Sequence, residues 1–201
     1  MNKWDERCNR LIEISSSIEL GKITILTGSN ASGKSVIRKM LPKYIAEKLN
    51  RDKTHECVSA LSFMSRAGLN SSCGINFLRD VDWSATSQGS VDHTRHLLTF
   101  TDRFLVLDEV ELGMSEEMQL AIAQHINSVK EKVLKDSYGL LVITHSRIIA
   151  STLEEDAFFN IDGYRTKQEW LDRKIVPVDL DQFEKDASDL FKCIRDRSKG
   201  G

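Results

Sequence analysis

An α/β domain built on a mostly parallel sheet is the fold class that this sequence predicts, and three observations carry it. Several short apolar runs are unbroken rather than alternating, as in "RFLVLD" and "LLVITH", which is the pattern of strands covered on both faces. Helix-period apolar stretches lie between these runs, so strands and helices alternate along the chain. One run, "KITILT", passes directly into a small-residue loop and then into a helical pattern.

The 201 residues suffice for one substantial core, and no proline-rich or low-complexity linker marks a second unit, so residues 1–201 are expected to form a single domain. Hydrophobic residues at 40% and charged residues at 29% exclude a disordered or fibrous chain. The formal net charge of −2 supplies no general attraction to nucleic acid. Cys8, Cys57, Cys73 and Cys193 are scattered without a C-x-x-C pair, which predicts neither a zinc site nor a disulfide framework and suits a reducing cytoplasm. No apolar stretch approaches the roughly 20 residues that span a bilayer, and "MNKWDERCNR" is too polar for a signal peptide, so no direct membrane insertion is expected.

Read in order, strands are expected at 11–15, 22–27, 57–64, 103–108, 140–145 and 157–161. After the small-residue loop, Val36, Ile37, Met40, Leu41, Tyr44, Ile45 and Leu49 keep helical spacing, with Pro42 expected to kink or shorten that helix. Ser115 is placed to cap a long helix carrying Met118, Ile122, Ile126, Val129 and Val133 on one stripe, and Gly139 to end it. "TKQE" at 166–169 reads as a capping box, and Phe183, Ala187, Leu190 and Ile194 mark a final amphipathic helix. Residues 66–90 show no clear period.

The loop after "KITILT" is Gly28, Ser29, Asn30, Ala31, Ser32, Gly33, Lys34, Ser35, a full match to G-x-x-x-x-G-K-[ST] in strand–loop–helix context. Successive backbone N–H groups at a helix start, Val36 included, form an anion nest, and Gly28 and Gly33 permit the close turn. Lys34 is expected to neutralise β- and γ-phosphate oxygens and Ser35 to ligate Mg2+. Such a loop needs a carboxylate at the end of a neighbouring strand. "RFLVLDE" supplies Asp108 for the metal and Glu109 to orient and deprotonate an attacking water.

The order and spacing of these segments resemble the ATP-binding-cassette (ABC) ATPases. "GSNASGKS" looks like the cassette Walker A form with Asn at its third position, frequent in the soluble SMC-like and DNA-repair branch, and "VLDE" looks like its Walker B. "VITH" ends an apolar strand in His145 as the family's switch strand does, which implies contact with the γ-phosphate and the attacking water. "TSQGS" resembles a degenerate signature motif in which Ser87 and Gly89 would bind the γ-phosphate held by a second protomer; the alternative is a plain Ser/Gly helix cap. "VELGMSEE" at 110–117 looks like the "PExGLS" D-loop form of OLD-like ATPases. Trp4 stands where an adenine-stacking aromatic could lie, or packs on the sheet.

The resemblance implies an ABC-type P-loop fold with a reduced helical subdomain at about 66–100, ATP and Mg2+ as ligands, and a head-to-tail homodimer in the ATP state. It further implies a switch or motor for a separate effector protein, in DNA repair or defence by analogy; nucleic acid is admitted as a partner but not required. A transporter's nucleotide-binding subunit and an ATP-binding scaffold without turnover stand as alternatives, the first opposed by the short distance from Walker A to signature and by the lack of a Q-loop glutamine in 57–80. His93 and His96 could share a helical face, but no further metal ligand accompanies them.

Overall fold

The computed structural model describes residues 3–62, 86–177 and 179–199. Its helices and strands, in chain order, are α1 (Lys3–Ser17), β1 (Ile23–Thr27), α2 (Lys34–Leu49), a short 3-10 turn (Thr54–Glu56), β2 (Val58–Ser62), α3 (Thr86–Leu97), β3 (Phe104–Asp108), α4 (Glu116–Asp136), β4 (Leu140–Ile143), α5 (Arg147–Thr152), β5 (Ala157–Asn160), α6 (Lys167–Asp172) and α7 (Leu180–Lys199). The five strands form one sheet in the order β2-β3-β4-β1-β5, and every pairing is parallel. The α/β class with a parallel sheet flanked by helices is therefore as expected.

Because successive strand side chains point to opposite faces, each buried strand serves two cores. Ile23 and Ile25, Leu105 and Leu107, and Leu140 and Val142 share one cluster with Ile122, Ala123 and Ile126 of α4 and Ile149 of α5. Leu26, Phe104, Val106, Leu141 and Ile143 share the other with Leu11 and Ile14 of α1, Ile18 just beyond it, and Ile37, Leu41 and Ile45 of α2. Full burial on both faces explains why these strands read as continuous apolar runs.

The strand expected at 11–15 is instead the second half of α1. Leu11, Ile14, Ser15 and Ile18 recur at i, i+3, i+4 and i+7, all buried, and that helical stripe outweighs the local alternation of "LIEIS". Burying side chains such as Leu11 and Ile18 contributes roughly 1.5–3 kcal/mol each, more than any local strand preference. Asp5 and Glu6 favour the helix start, and the Ser15 hydroxyl donates back to the Leu11 carbonyl at 2.7 Å.

Pro42 does not shorten α2, which runs on to Leu49 and ends at Asn50 in a left-handed conformation, φ 51°. Ser115 caps α4 by accepting from the Met118 N–H, and Thr166 caps α6 by accepting from the Glu169 N–H. Gly139 lies in the turn between α4 and β4 at φ 126°, where a Cβ would come within 2.9 Å of Phe104 and 3.0 Å of the Lys22 carbonyl. The unperiodic stretch 66–85 lies outside the described residues, and so does most of the expected helical subdomain. Its described end, α3, packs against β2, and Leu97 at its last turn and Leu98 just after it enter the main core. Among the described residues no helix is long and apolar enough to cross a membrane.

Candidate functional site

The strands end at one level: Ser62 pairs with Asp108, Asp108 and Leu26 each with Ile143, and Thr27 with Asn160. The segments that follow them gather along one edge of the sheet, where ligands of open parallel sheets bind. Between β1, which feeds the glycine loop, and β3, which ends in Asp108, lies β4 with Thr144 and His145.

The loop from Gly28 to Gly33 is shaped by contacts as well as by glycine. A Cβ on Gly28 would meet the Ser32 Oγ at 2.6 Å, and one on Gly33, at φ 110°, would meet Leu11 Cδ1 at 2.8 Å. Ala31 is also left-handed at φ 56°. The Val36 N–H returns to the Gly33 carbonyl at 2.9 Å and starts α2. Ser29 and Asn30 are exposed at the loop's outer side and Ser35 at the helix start, while Ser32 is buried.

The Lys34 ammonium donates to the Gly28 and Ser29 carbonyls at 3.1 and 2.9 Å, and lies 3.9 Å from Glu109 Oε1. Burial pushes its pKa below the usual lysine range, and the carboxylates of Glu109, Asp162, Asp108 and Glu111 pull it back up. Lys34 thus stands at the loop mouth as a cation held by carbonyl dipoles. The buried Ser32 Oγ has no hydrogen-bond partner among the described residues. A cradle with a poised lysine, an orphaned hydroxyl and no room for Cβ atoms fits a phosphate.

On the facing strands, Asp108 is buried and forms an ion pair with Arg38, Nε to Oδ2 at 3.1 Å, without the alignment of a hydrogen bond. Desolvation raises the Asp108 carboxyl to about 6 despite Arg38, and the Glu109 and Glu111 charges add to the rise. Glu109 adopts φ 53°, a left-handed conformation costly for a residue with a Cβ, and its N–H is tied to the Ile143 carbonyl at 2.9 Å. That backbone accompanies a Glu109 Oε1 lying 2.9 Å from His145 Nε2. The His145 hydrogen bond holds the Glu109 carboxyl below the usual range, against the opposing effect of burial.

Lys34, Asp108, Glu109 and His145, singled out from separate sequence segments, therefore meet at one place. Ser35 opens α2 beside Lys34. Ser87 and Gly89, expected at the phosphate of a second protomer, fall inside the first turn of α3 rather than in a loop before it, and α3 lies against β2, which β3 and β4 separate from β1. A Cβ on Gly89 would meet nothing within 4 Å. The side chains of Trp4 and Ser87 lie outside the described residues, as do residues 63–80 of the segment searched for a Q-loop. His96 packs edge-on against Phe100 at 5.0 Å, and among the described residues no group of three or more His, Cys, Asp or Glu is arranged to hold a metal ion.

Three residues at the site carry no signal in the local sequence pattern. Arg38 reaches Asp108, and it also donates from Nη1 to the Ser62 hydroxyl at 3.4 Å. Asp162, beyond β5, accepts from the Ser29 N–H at 2.6 Å and the Ser29 hydroxyl at 2.9 Å. Glu111 is buried and accepts from the Thr144 hydroxyl at 2.9 Å and the His145 N–H at 2.7 Å. The second and third contacts span 133 and at least 33 residues of chain, which periodicity cannot see. Beside the loop, a cavity of about 570 Å³ opens between α1 and the Ser29–Asp162 pair, with Arg7, Arg10 and Glu13 on its helical wall.

No protein-family model matches this chain, and no curated protein matches it. Among solved structures, that of PCH-2 from C. elegans is similar, at 14% sequence identity and a TM-score of 0.38, over 78% of this chain and 40% of that one. The chain thus spans less than half of the PCH-2 chain's length.

Proposed function

We propose that this chain is a P-loop ATPase of the cassette type, close in motif form to the soluble SMC, DNA-repair and OLD-like branch, which binds and hydrolyses MgATP. The observation that supports it is the convergence of Lys34, Glu109 and His145 within 3.9 Å contacts at the mouth of a glycine loop, with Asp108 beside them. Gly28 to Val36 would cradle the phosphates, and Ser35 and Asp108 would hold Mg2+. When bound, the metal supplies charge neutralisation at the transferred phosphoryl group.

The residues of the chain do the rest. Lys34 exchanges its carbonyl partners for phosphate oxygens, a charge-assisted bond stronger than those it leaves. Glu109, kept ionised by His145, accepts a proton from water, and His145 with its proton on Nε2 orients that carboxylate. The cavity beside Ser29 has room for the nucleoside. Ser87 and Gly89 of a second copy would complete the site, so that ATP favours a closed head-to-tail dimer and its loss opens it. Such a cycle serves a separate effector protein, in DNA repair or defence on the resemblance of the motifs.

The Arg38–Asp108 ion pair favours one other reading, a scaffold that holds ATP without turnover, because an arginine on Asp108 Oδ2 competes with a metal for that carboxylate. The test is the Glu109→Gln protein. Expected are MgATP hydrolysis by the native chain, none by the variant, and a MgATP-dependent shift of the variant from monomer to dimer in light scattering. Turnover no greater in the native chain than in the variant supports the scaffold, and absence of the dimer removes the cassette mechanism.

A further inference from the structure

We infer that Glu111 is the positioning residue of this site: its Oε1 atom clamps the end of β4 to the turn after β3 and so sets the contact between Glu109 and His145. The inference rests on the reading of Glu109 and His145 as the water-activating pair. Glu111 is 8% exposed, and its Oε1 takes two hydrogen bonds at once, 2.9 Å from the Thr144 hydroxyl and 2.7 Å from the His145 N–H. The first donor comes from the residue before His145, the second from His145 itself. Both donors belong to the segment that leaves β4, whereas Glu111 belongs to the turn that holds Glu109.

Apart from the Glu109–His145 contact itself, the two segments have one other described polar link near this level, the Glu109 N–H to the Ile143 carbonyl at 2.9 Å. That bond fixes the backbone of Glu109 but not the imidazole of His145. A carboxylate accepting the His145 N–H fixes the position from which the ring reaches Glu109. The Thr144 hydroxyl in turn accepts from the Ser146 N–H at 2.9 Å, and Ser146 caps α5. Glu111 is therefore tied through Thr144 to the start of a helix, a rigid reference rather than a free loop. A hydrogen bond to an ionised acceptor is the stronger kind and suits this task.

The other carboxylate oxygen, Oε2, is buried without a hydrogen-bond partner among the described residues. An amide at that place breaks no bond, so glutamine can keep the clamp while removing the charge. This separates positioning from electrostatics.

Glu111→Ala and Glu111→Gln are measured for turnover, for MgATP affinity with a fluorescent analogue, and for the His145 Nε2 nitrogen shift by NMR. Expected are a tenfold or greater loss of kcat in Glu111→Ala with affinity within twofold, kcat within threefold of native in Glu111→Gln, and a displaced His145 signal in the alanine variant alone. Equal loss in both variants, unchanged kcat in the alanine variant, or a His145 signal that does not move overturns the inference. Should Glu111→Ala not fold, Thr144→Val removes one donor of the clamp, and a His145 signal left in place by it overturns the inference equally. If the native chain does not turn over ATP, the proposed hydrolysis fails, and the NMR shift alone still decides the role of Glu111.

Discussion

The Arg38 guanidinium lies 3.1 Å from Asp108 Oδ2, yet the Asp108 carboxyl is raised to about 6. Desolvation at the end of β3 therefore outweighs the attraction, and the nearby Glu109 and Glu111 charges add to it. Its ordinary value is 3.8, so between about 4 and 6 the folded chain binds the proton that the unfolded chain releases, and stability falls as pH rises through that window. By the conversion of pKa shift to free energy, ionised Asp108 costs roughly 3 kcal/mol above pH 6. Asp108→Asn is expected to stabilise the ligand-free protein at pH 7.5 by up to about that amount and to change little at pH 4, read from urea unfolding. A variant less stable than native at pH 7.5 would show that the Arg38 pair outweighs burial.

Arg38 itself should behave in the opposite sense. It lowers the Asp108 pKa, so Arg38→Gln removes a favourable charge only while Asp108 is ionised. The variant is expected to lose on the order of 1 kcal/mol at pH 7.5, as partly exposed ion pairs do, and almost none at pH 4. The same urea titrations at the two pH values check it. An equal loss at both would assign Arg38 to packing or to its Ser62 contact instead.

Glu109 is a left-handed residue with a side chain, at φ 53°. Any residue with a Cβ carries a strain of about 1–2 kcal/mol there, and glycine does not. Glu109→Gly and Glu109→Ala both lose the carboxylate and should both abolish turnover. They should differ in stability, with glycine ahead by about 1 kcal/mol once its larger unfolded-state entropy is counted. Thermal unfolding of the two variants side by side measures the difference. Alanine equal to glycine would mean that the turn relaxes when the His145 contact is lost.

Much of this architecture could be read from the chain because burial on both faces writes itself into sequence as unbroken runs. "FLVL" and "LLVI" are examples, and the Ser115 and Thr166 caps are visible for a similar reason, each depending on residues three apart. The stretch "LIEIS" misled because five residues fit either period, and only Cys8 and Ile18 on either side complete the helical stripe. Asp108, Glu109 and His145 were visible at the ends of apolar runs, and Lys34 through the glycine-loop motif. Arg38, Glu111 and Asp162 were not, because each matters through a contact with a distant strand end rather than through its neighbours in sequence.

Asp162 bears most directly on the phosphate loop. Its carboxylate accepts from both the N–H and the hydroxyl of Ser29, so it braces the loop and at the same time places a negative charge beside it. These two effects act in opposite directions on an anionic ligand. Asp162→Asn keeps an acceptor for the Ser29 N–H and removes the charge, and it should bind ATP roughly two- to fivefold more tightly at low ionic strength, a gain that shrinks as salt screens an exposed charge. Asp162→Ala removes brace and charge together and should bind more weakly than Asp162→Asn at every salt concentration. Titration of a fluorescent ATP analogue at 50 mM and 500 mM salt, concentrations about a factor of three apart in screening length, separates the contributions. Equal affinity of the two variants at both would leave the Ser29 bonds with no part in ordering the loop, and the charge as the whole effect of Asp162.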